Sequence, residues 1–436
     1  MTETQTLSDL KIDLHYLTRV EGHGNILVDV KQGKVERCEL TVVEAPRFFE
    51  AMLVGRPYGQ ASHLASRICG ICSVAHSTAS LRATEKALGV EISPQAQLLR
   101  RLAFHGEMLD SHILHAYLLV APDFFNEASA IALAGKKPDV VVRALRMKRL
   151  AGDLCTVLAG RHTHPVALAV GGMRHVPTAA ELADLQRRLL ESRADVEATL
   201  ELYRGLPFPE FSRETEYLAL RPSQGYGFID GDIVSSDGGS WPLERYPEVV
   251  REHLVPHSTA KHARHGRPSY MVGALARFRV NHDRLHPRAQ AAAKVLGLKP
   301  DCTNSYFITA AQVVEIVHCV EEAIEVIQTL LDQGLRQEPL GRPTRRSGEG
   351  VGAVEAPRGA LYHHYLIEDG LIRRANCIIP TNQNLANIEA DLRTVVPQIL
   401  PLGQAAVTQR LEMLVRAYDP CISCATHMLK VDFRDT

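Results

Sequence analysis

Two short cysteine motifs near opposite ends of this 436-residue chain restrict its fold more than any other feature. One is Arg67-Ile-Cys69-Gly-Ile-Cys72-Ser-Val-Ala-His76, the other Asp419-Pro-Cys421-Ile-Ser-Cys424-Ala-Thr-His427. A C-x-x-C spacing aims both sulfurs at one point and suits a soft metal that prefers thiolate. Each pair has a histidine shortly after its second cysteine, and on a helix His76 stands one turn from Cys72, within reach of its sulfur. Spacing alone leaves three readings open: a structural zinc site, an iron–sulfur cluster, or a catalytic two-metal site. Zinc ribbons keep their halves close in sequence, whereas here the whole fold must close before four thiolates can meet.

There are nine cysteines, an odd number that argues against a disulfide framework. The other five, Cys38, Cys155, Cys302, Cys319 and Cys377, are isolated and read as small apolar core residues. Lys+Arg (49) balances Asp+Glu (50), so nothing suggests a nucleic-acid surface. The His-rich basic stretch from His257 to Arg288 reads as solvated surface. No run approaches the ~18–20 apolar residues of a membrane span. The N-terminus lacks the basic and apolar regions of a signal peptide, which favours the cytoplasm.

The expected fold is mainly α (α+β): a bundle of long helices with small antiparallel sheets or hairpins attached. Residues 26–43 alternate as two strands around Gln32-Gly33. A helix follows Pro94, with Leu98, Leu102, Leu109, Ile113 and Tyr117 on one stripe, and a second starts at the capping box Thr178-x-x-Glu181. A third runs from about Phe307 to Asp332 ahead of Gly334, and a fourth from about Gln404 to Tyr418. Residues 360–379 alternate on both sides of Asp369-Gly370, a hairpin turn that sets position 358 opposite about 381. The segment at Glu355–Gly359 is therefore expected beside Pro380–Asn384, two distant loops forming one wall. The Gly/Arg-rich stretch 341–352 reads as a loop. A single domain spans 1–436: a hairpin region about 10–60, a helical core about 61–340, a second hairpin region about 353–385, and a C-terminal helix with the last motif about 386–436.

The two cysteine motifs resemble the R-x-C-G-x-C-x-x-x-H and D-P-C-x-x-C-x-x-H signatures of nickel–iron hydrogenase large subunits. Other marks of that family follow in order: Arg19-Val-Glu21-Gly-His23, Pro46-Arg-Phe-Phe-Glu50, Gly160-Arg-His-Thr-His-Pro165 with Gly171-Gly172, Glu355-Ala-Pro-Arg358-Gly, and Pro380-Thr381. The resemblance covers essentially the whole chain. It implies that Cys69, Cys72, Cys421 and Cys424 bind nickel, and that Cys72 and Cys424 also bridge to an iron carrying carbon monoxide and two cyanides. Such a centre carries excess negative charge and needs cationic or hydrogen-bonding company. Arg358 resembles the family's guanidinium over the metals, with Asp419 orienting it. Pro357, Arg358, Pro380 and Thr381 match the turns that serve the cyanides. Cys421 resembles the first proton acceptor, and Glu21 the next group in the relay. Glu50, the Cys377 carbonyl and His427 match a magnesium site.

The sequence departs from parts of the family where Ser111, in Asp110-Ser111-His112, takes a slot that some members give to Asp. The residues Pro380–Asn384, in place of a Trp of many respiratory members, resemble instead the cytoplasmic branch linked to soluble cofactors. By resemblance, electrons leave through an iron–sulfur small subunit, then through further flavin or NAD(P)-type subunits. The resemblance also implies nickel chaperones and a maturation protease, which in many members removes a tail after the last histidine; nine residues follow His427 here. Two other functions fit the same residues: an H2 sensor acting through a partner, and a non-catalytic zinc- or cluster-binding assembly subunit.

Overall fold

The computed structural model describes residues 9–426. Apolar residues at helical spacing become four long helices, Pro94–Ile113, Pro138–Ala159, Ala179–Arg204 and Ile308–Gln333, that pack on one another as the central bundle. Their ends carry the signals the sequence offers. The Ser93 side chain accepts from Ala96 N–H, the Thr178/Glu181 capping box is formed, and Gly334 ends the fourth helix at φ 75°. The first helix continues as a π-helical stretch, Leu114–Val120, which places His115 against the C-terminal segment: its ring Nε2 lies 2.7 Å from the Arg416 carbonyl.

Small antiparallel sheets attach to this bundle, as the alternating segments predict. Strands Leu10–Leu14, Gly24–Lys31 and Lys34–Val42 form one, with Gln32 (φ 48°) and Gly33 (φ 74°) making the expected tight turn. Strands Gly348–Ala356, Gly359–Glu368 and Leu371–Ile378 form another. Its second hairpin turns at Asp369-Gly370, and a bulge at Leu366/Ile367 shifts the register to Tyr362↔Ile378. Extended to the open end, that register is one residue off the expected 358–381 pairing.

Three expectations need correction. The stretch 341–352 is not all loop, because a strand starts at Gly348. A Cβ at Gly348, Gly350 or Gly352 would lie 2.1–2.3 Å from the carbonyls of Ala87, Ala83 and Ala79. The glycines let the strand lie directly on the Ser73–Leu88 helix, whose alanines at four-residue spacing form the matching face. Next, Pro380–Asn384 is no loop but the first turn of a helix, Pro380–Ile399, with Pro380 at its first position. Its third residue after Pro380 still reaches the neighbouring strand one position past Gly359, where Gln383 Nε2 donates to Ala360 O at 2.6 Å. Last, the stretch from His257 to Arg288 is not solvated surface throughout: His262 and Arg277 are buried within it. Among the described residues no helix is long and apolar enough to cross a membrane.

Candidate metal centre

Cys69 follows a short 3-10 turn, Ser66–Ile68, and Cys72 stands at the head of the Ser73–Leu88 helix. The first amides of that helix have a dedicated acceptor: Glu107, from the Pro94–Ile113 helix, takes Val74 N–H at 2.5 Å and Ala75 N–H at 2.8 Å. Burial pushes the Glu107 carboxyl well above the usual carboxylate range, against the pull of these two N–H groups.

Cys421 precedes, and Cys424 lies within, a four-residue helix, Ile422–Ala425, entered through Asp419 in the left-handed region (φ 51°). Ile422 N–H donates to Glu21 O at 2.9 Å, Ser423 N–H to Glu21 Oε2 at 3.0 Å, and Cys421 N–H to Thr381 Oγ1 at 2.9 Å. Arg47 joins the two motifs. Its guanidinium donates to Ile68 O, just before Cys69, and to Ser423 O, between the other two cysteines, while Arg47 N–H donates to Thr426 O at 2.9 Å.

The result is one buried sulfur cluster built from both ends of the chain. Cys69 and Cys421 sulfurs are 3.5 Å apart, Cys72 and Cys424 3.6 Å, Cys421 and Cys424 2.9 Å, and all four lie within 4.8 Å of one another. Hydrogen bonds from Cys421, Cys424 and Cys72, opposed by burial and helped by the Arg358 charge, hold the Cys69 thiol well below its usual range. Burial, together with hydrogen bonds to the other sulfurs, pushes Cys424 well above it. Four sulfurs sharing protons in this way form a donor set from which a thiophilic cation displaces those protons.

Arg358 closes one side of the cluster. Its Nε donates to Asp419 O at 2.7 Å and Nη2 to Asp419 Oδ1 at 2.9 Å, while buried Nη1 has no hydrogen-bond partner among the described residues. Burial works against the guanidinium charge, but Asp419 and the sulfurs of Cys421, Cys72 and Cys69 outweigh it. A buried cation with its Nη1 amino group left over among the described residues, beside four thiols, fits a negatively charged metal centre with ligands able to accept a hydrogen bond.

The support behind Arg358 escaped sequence reasoning. Buried Arg277 forks onto Glu315 (Nε–Oε1 2.7 Å, Nη2–Oε2 2.6 Å), reaches Glu355 Oε2 at 3.2 Å, and donates to the carbonyls of Ala356 at 2.9 Å and Pro357 at 3.0 Å. It thereby pins the turn that presents Arg358. Glu315 also receives Tyr226 O–H at 2.8 Å and lies 2.8 Å from His112 Nε2. The available signals were Glu315, the single acid in residues 308–320, and Glu355 in the Arg358 motif.

The remaining expected residues divide. His76 is buried near Cys72, and its ring Nδ1 lies 3.1 Å from His363 Nε2. Thr381 and Pro380 are at the head of their helix, beside Cys421. Ser111 is fully buried, and the neighbouring Asp110 pairs with Lys148 at 2.7 Å instead of serving the sulfur cluster. Buried Glu50 accepts Cys377 N–H at 2.6 Å, which brings two of the three expected magnesium ligands together, and burial raises its carboxyl above the usual range. His427 lies outside the described residues.

Residues 47–140 and 253–427 match the family model of the nickel-dependent hydrogenases, and residues 11–45 match a HoxL-like model. The alpha chain of sulfhydrogenase 1 from Pyrococcus furiosus is 34% identical over 428 residues, covering 97% of this chain and 99% of that one. The beta chain of the NAD-reducing hydrogenase HoxS from Cupriavidus necator is 29% identical, covering 96% and 95%. Among solved structures, an NAD+-reducing [NiFe]-hydrogenase in the H2-reduced state superposes with a TM-score of 0.86 at 30% identity, covering 96% of this chain and 99% of the other. The motifs, the joined sulfur cluster and these likenesses agree: the chain belongs to the nickel-dependent hydrogenases, as a large, catalytic subunit of the [NiFe] type.

Proposed function

We propose that this protein splits H2 heterolytically and reversibly at a nickel–iron pair held by Cys69, Cys72, Cys421 and Cys424, and passes the electrons through an iron–sulfur small subunit towards a soluble acceptor such as NAD(P). The observation that carries the reading is the meeting of four buried sulfurs, from both ends of the chain, beneath a guanidinium whose Nη1 has no partner among the described residues. The metal pair supplies the Lewis acidity and redox capacity that the reaction needs. Cys69, Cys72, Cys421 and Cys424 would hold the nickel, and Cys72 and Cys424 would also hold the iron.

The chain's own residues supply position and proton handling. Asp419 grips Arg358 through both its carbonyl and its carboxylate, so the guanidinium keeps a fixed orientation without a flexible search. The sulfur of Cys421 takes the proton first. Glu21 takes it next: its main chain is bonded to Ile422 and its carboxylate to Ser423, so it stands beside the Cys421 segment, half-buried on the way to solvent. Thr381 accepts from Cys421 N–H through its oxygen, which leaves its hydroxyl proton to donate; with the Pro357/Arg358 turn it would serve the cyanide ligands of the iron. Glu50, the Cys377 carbonyl and His427 would hold magnesium as a structural ion.

The likeness to NAD+-reducing enzymes supports a nicotinamide acceptor, further electron-transfer subunits and a cytoplasmic setting. A maturation protease and nickel chaperones would complete the assembly. Infrared spectroscopy of the purified complex tests the centre directly: bands of metal-bound carbon monoxide and cyanide are expected. A complex containing zinc and no nickel would overturn the reading.

A further inference from the structure

The His-rich stretch between His257 and Arg288 contains a second convergence of donors. His257 and His262, with four residues between them in His257-Ser-Thr-Ala-Lys-His262, meet Glu389 from the middle of the Pro380–Ile399 helix, with one donor atom from each within 4.8 Å of the others. His257 Nε2 lies 2.8 Å from Glu389 Oε1, and His262 Nε2 lies 4.0 Å from the same oxygen. Glu389 follows Thr381 by eight residues, about 12 Å along the helix axis, so this cluster stands apart from the sulfur centre. Glu50 and Cys377 are not part of it.

Two features separate this cluster from an ordinary histidine–carboxylate pair. His262 is only 3% exposed, yet its Nε2 has no hydrogen-bond partner among the described residues. If that nitrogen presents a lone pair, it faces a carboxylate oxygen with nothing between them; if it carries hydrogen, the nearest acceptor is too far. A cation between the two satisfies the lone-pair form, with the ring hydrogen then on Nδ1. The His262 ring also packs edge-on against those of His257 and His253, with centroids 5.6 and 6.1 Å away.

The scaffold around the donors is braced. Glu389 Oε1 accepts Leu40 N–H at 3.0 Å, which orients the carboxylate from the N-terminal sheet. The loop between the histidines is tied to the same sheet: Thr259 N–H donates to Val42 O at 3.0 Å, and Thr259 Oγ1 to Glu44 O at 2.7 Å. His262 lies on a short strand, His262–Arg264, paired with Arg251–His253. His257 is partly exposed and gives an ion a way in.

We propose that His257, His262 and Glu389 form a binding site for a divalent transition cation of borderline softness, zinc being the best match, with water in the fourth position. Two imidazoles and one carboxylate are a zinc-type donor set, too nitrogen-rich for magnesium and too hard for copper(I). The ion would clamp three elements together: the 251–264 hairpin, the N-terminal sheet and the helix whose first turn carries Thr381. It is a structural clamp and takes no part in H2 chemistry.

The test uses the intact purified complex, equilibrated with Zn2+, passed through a desalting column and assayed for zinc, nickel and iron per catalytic chain. Wild type is expected to retain about one zinc more than His257→Ala, and X-ray absorption at the zinc edge should report nitrogen and oxygen neighbours including two imidazoles. Glu389→Gln should weaken zinc retention about tenfold or more, with nickel, iron and H2 turnover unchanged. His257 is partly exposed, so its alanine variant tests the site even if His262→Ala fails to fold. Equal zinc in wild type and His257→Ala, or a zinc edge showing sulfur ligation, would overturn the proposal.

Discussion

The two cysteine pairs share a spacing and little else. Cys69 and Cys72 lead into a 16-residue helix, and one carboxylate from the next helix, Glu107, satisfies its first amides. Cys421 and Cys424 sit on a four-residue helix too short to hold itself. Its anchors are borrowed from Glu21, Arg47 and Thr381, three segments far away in sequence. The first half of the centre is therefore placed once two neighbouring helices pack, and the second only after the chain end docks. Equal motifs do not imply equal support, and the weaker half is the one that metal loading has to secure.

Arg47 touches the backbone beside both pairs, so its loss should do the most damage. Arg47→Met removes two charge-assisted bonds at a cost of about 3 kcal/mol or more in docking, and elemental analysis should show nickel falling to about a tenth of wild type or below. Full nickel content would mean that the two halves are held together by something else. Arg358→Lys should come next. The point charge cannot reproduce the fork onto Asp419, and turnover should fall about 10²–10³-fold with nickel and iron retained. Unchanged turnover would remove Arg358 from the chemistry.

A matched pair of variants separates the halves. Glu107→Gln should cost about 2 kcal/mol by turning an amide group towards one helix N–H, and Thr381→Val about 1 kcal/mol by leaving Cys421 N–H unpaired. Hydrogen–deuterium exchange should quicken in residues 69–76 for the first and in 419–426 for the second. Equal quickening of both segments by either variant would break the distinction.

The last test concerns the Arg358 wall. Burial, opposed by Arg277, pushes the Glu355 carboxyl up to about 7. A raised folded-state value means the protonated acid is favoured in the native protein. Its stabilisation is therefore complete below the ordinary value of about 4.5 and is lost as pH rises through 7. Glu315 shifts the other way. Burial works against its charge, but Arg277 outweighs that effect and takes the carboxyl down to about 2, so its contribution is lost only as pH falls below the ordinary range. Between pH 5 and 7 the chain should lose about 2–3 kcal/mol through Glu355. Denaturant unfolding of Glu355→Gln should show a flatter profile across that window, and an unchanged slope would refute the assignment.

Patterns that repeat at short range were legible. The helical stripes, the capping box at Thr178, the two hairpin turns and both cysteine motifs depend on neighbours a few residues away, and all are present in the fold. Glycine was ambiguous: in Gly348–Gly352 it looks like a loop, because sequence does not say whether the missing Cβ serves a turn or the approach of another backbone. Histidine was ambiguous for a related reason. His257 to Arg288 carries surface composition, but burial of His262 and Arg277 depends on which partners arrive, here Glu389 and Glu315.

By itself, the amino-acid sequence determined the ligand types, their spacing within each pair, and the segments able to become helix or strand, because those follow from side-chain chemistry and local periodicity. Only the tertiary structure decided that the two pairs share one cavity, that Arg277, Glu315 and Glu355 brace the turn bearing Arg358, and that Arg47 ties both ends of the chain together. Those facts depend on contacts between residues tens to hundreds of positions apart, and distance in space has no signature along the chain.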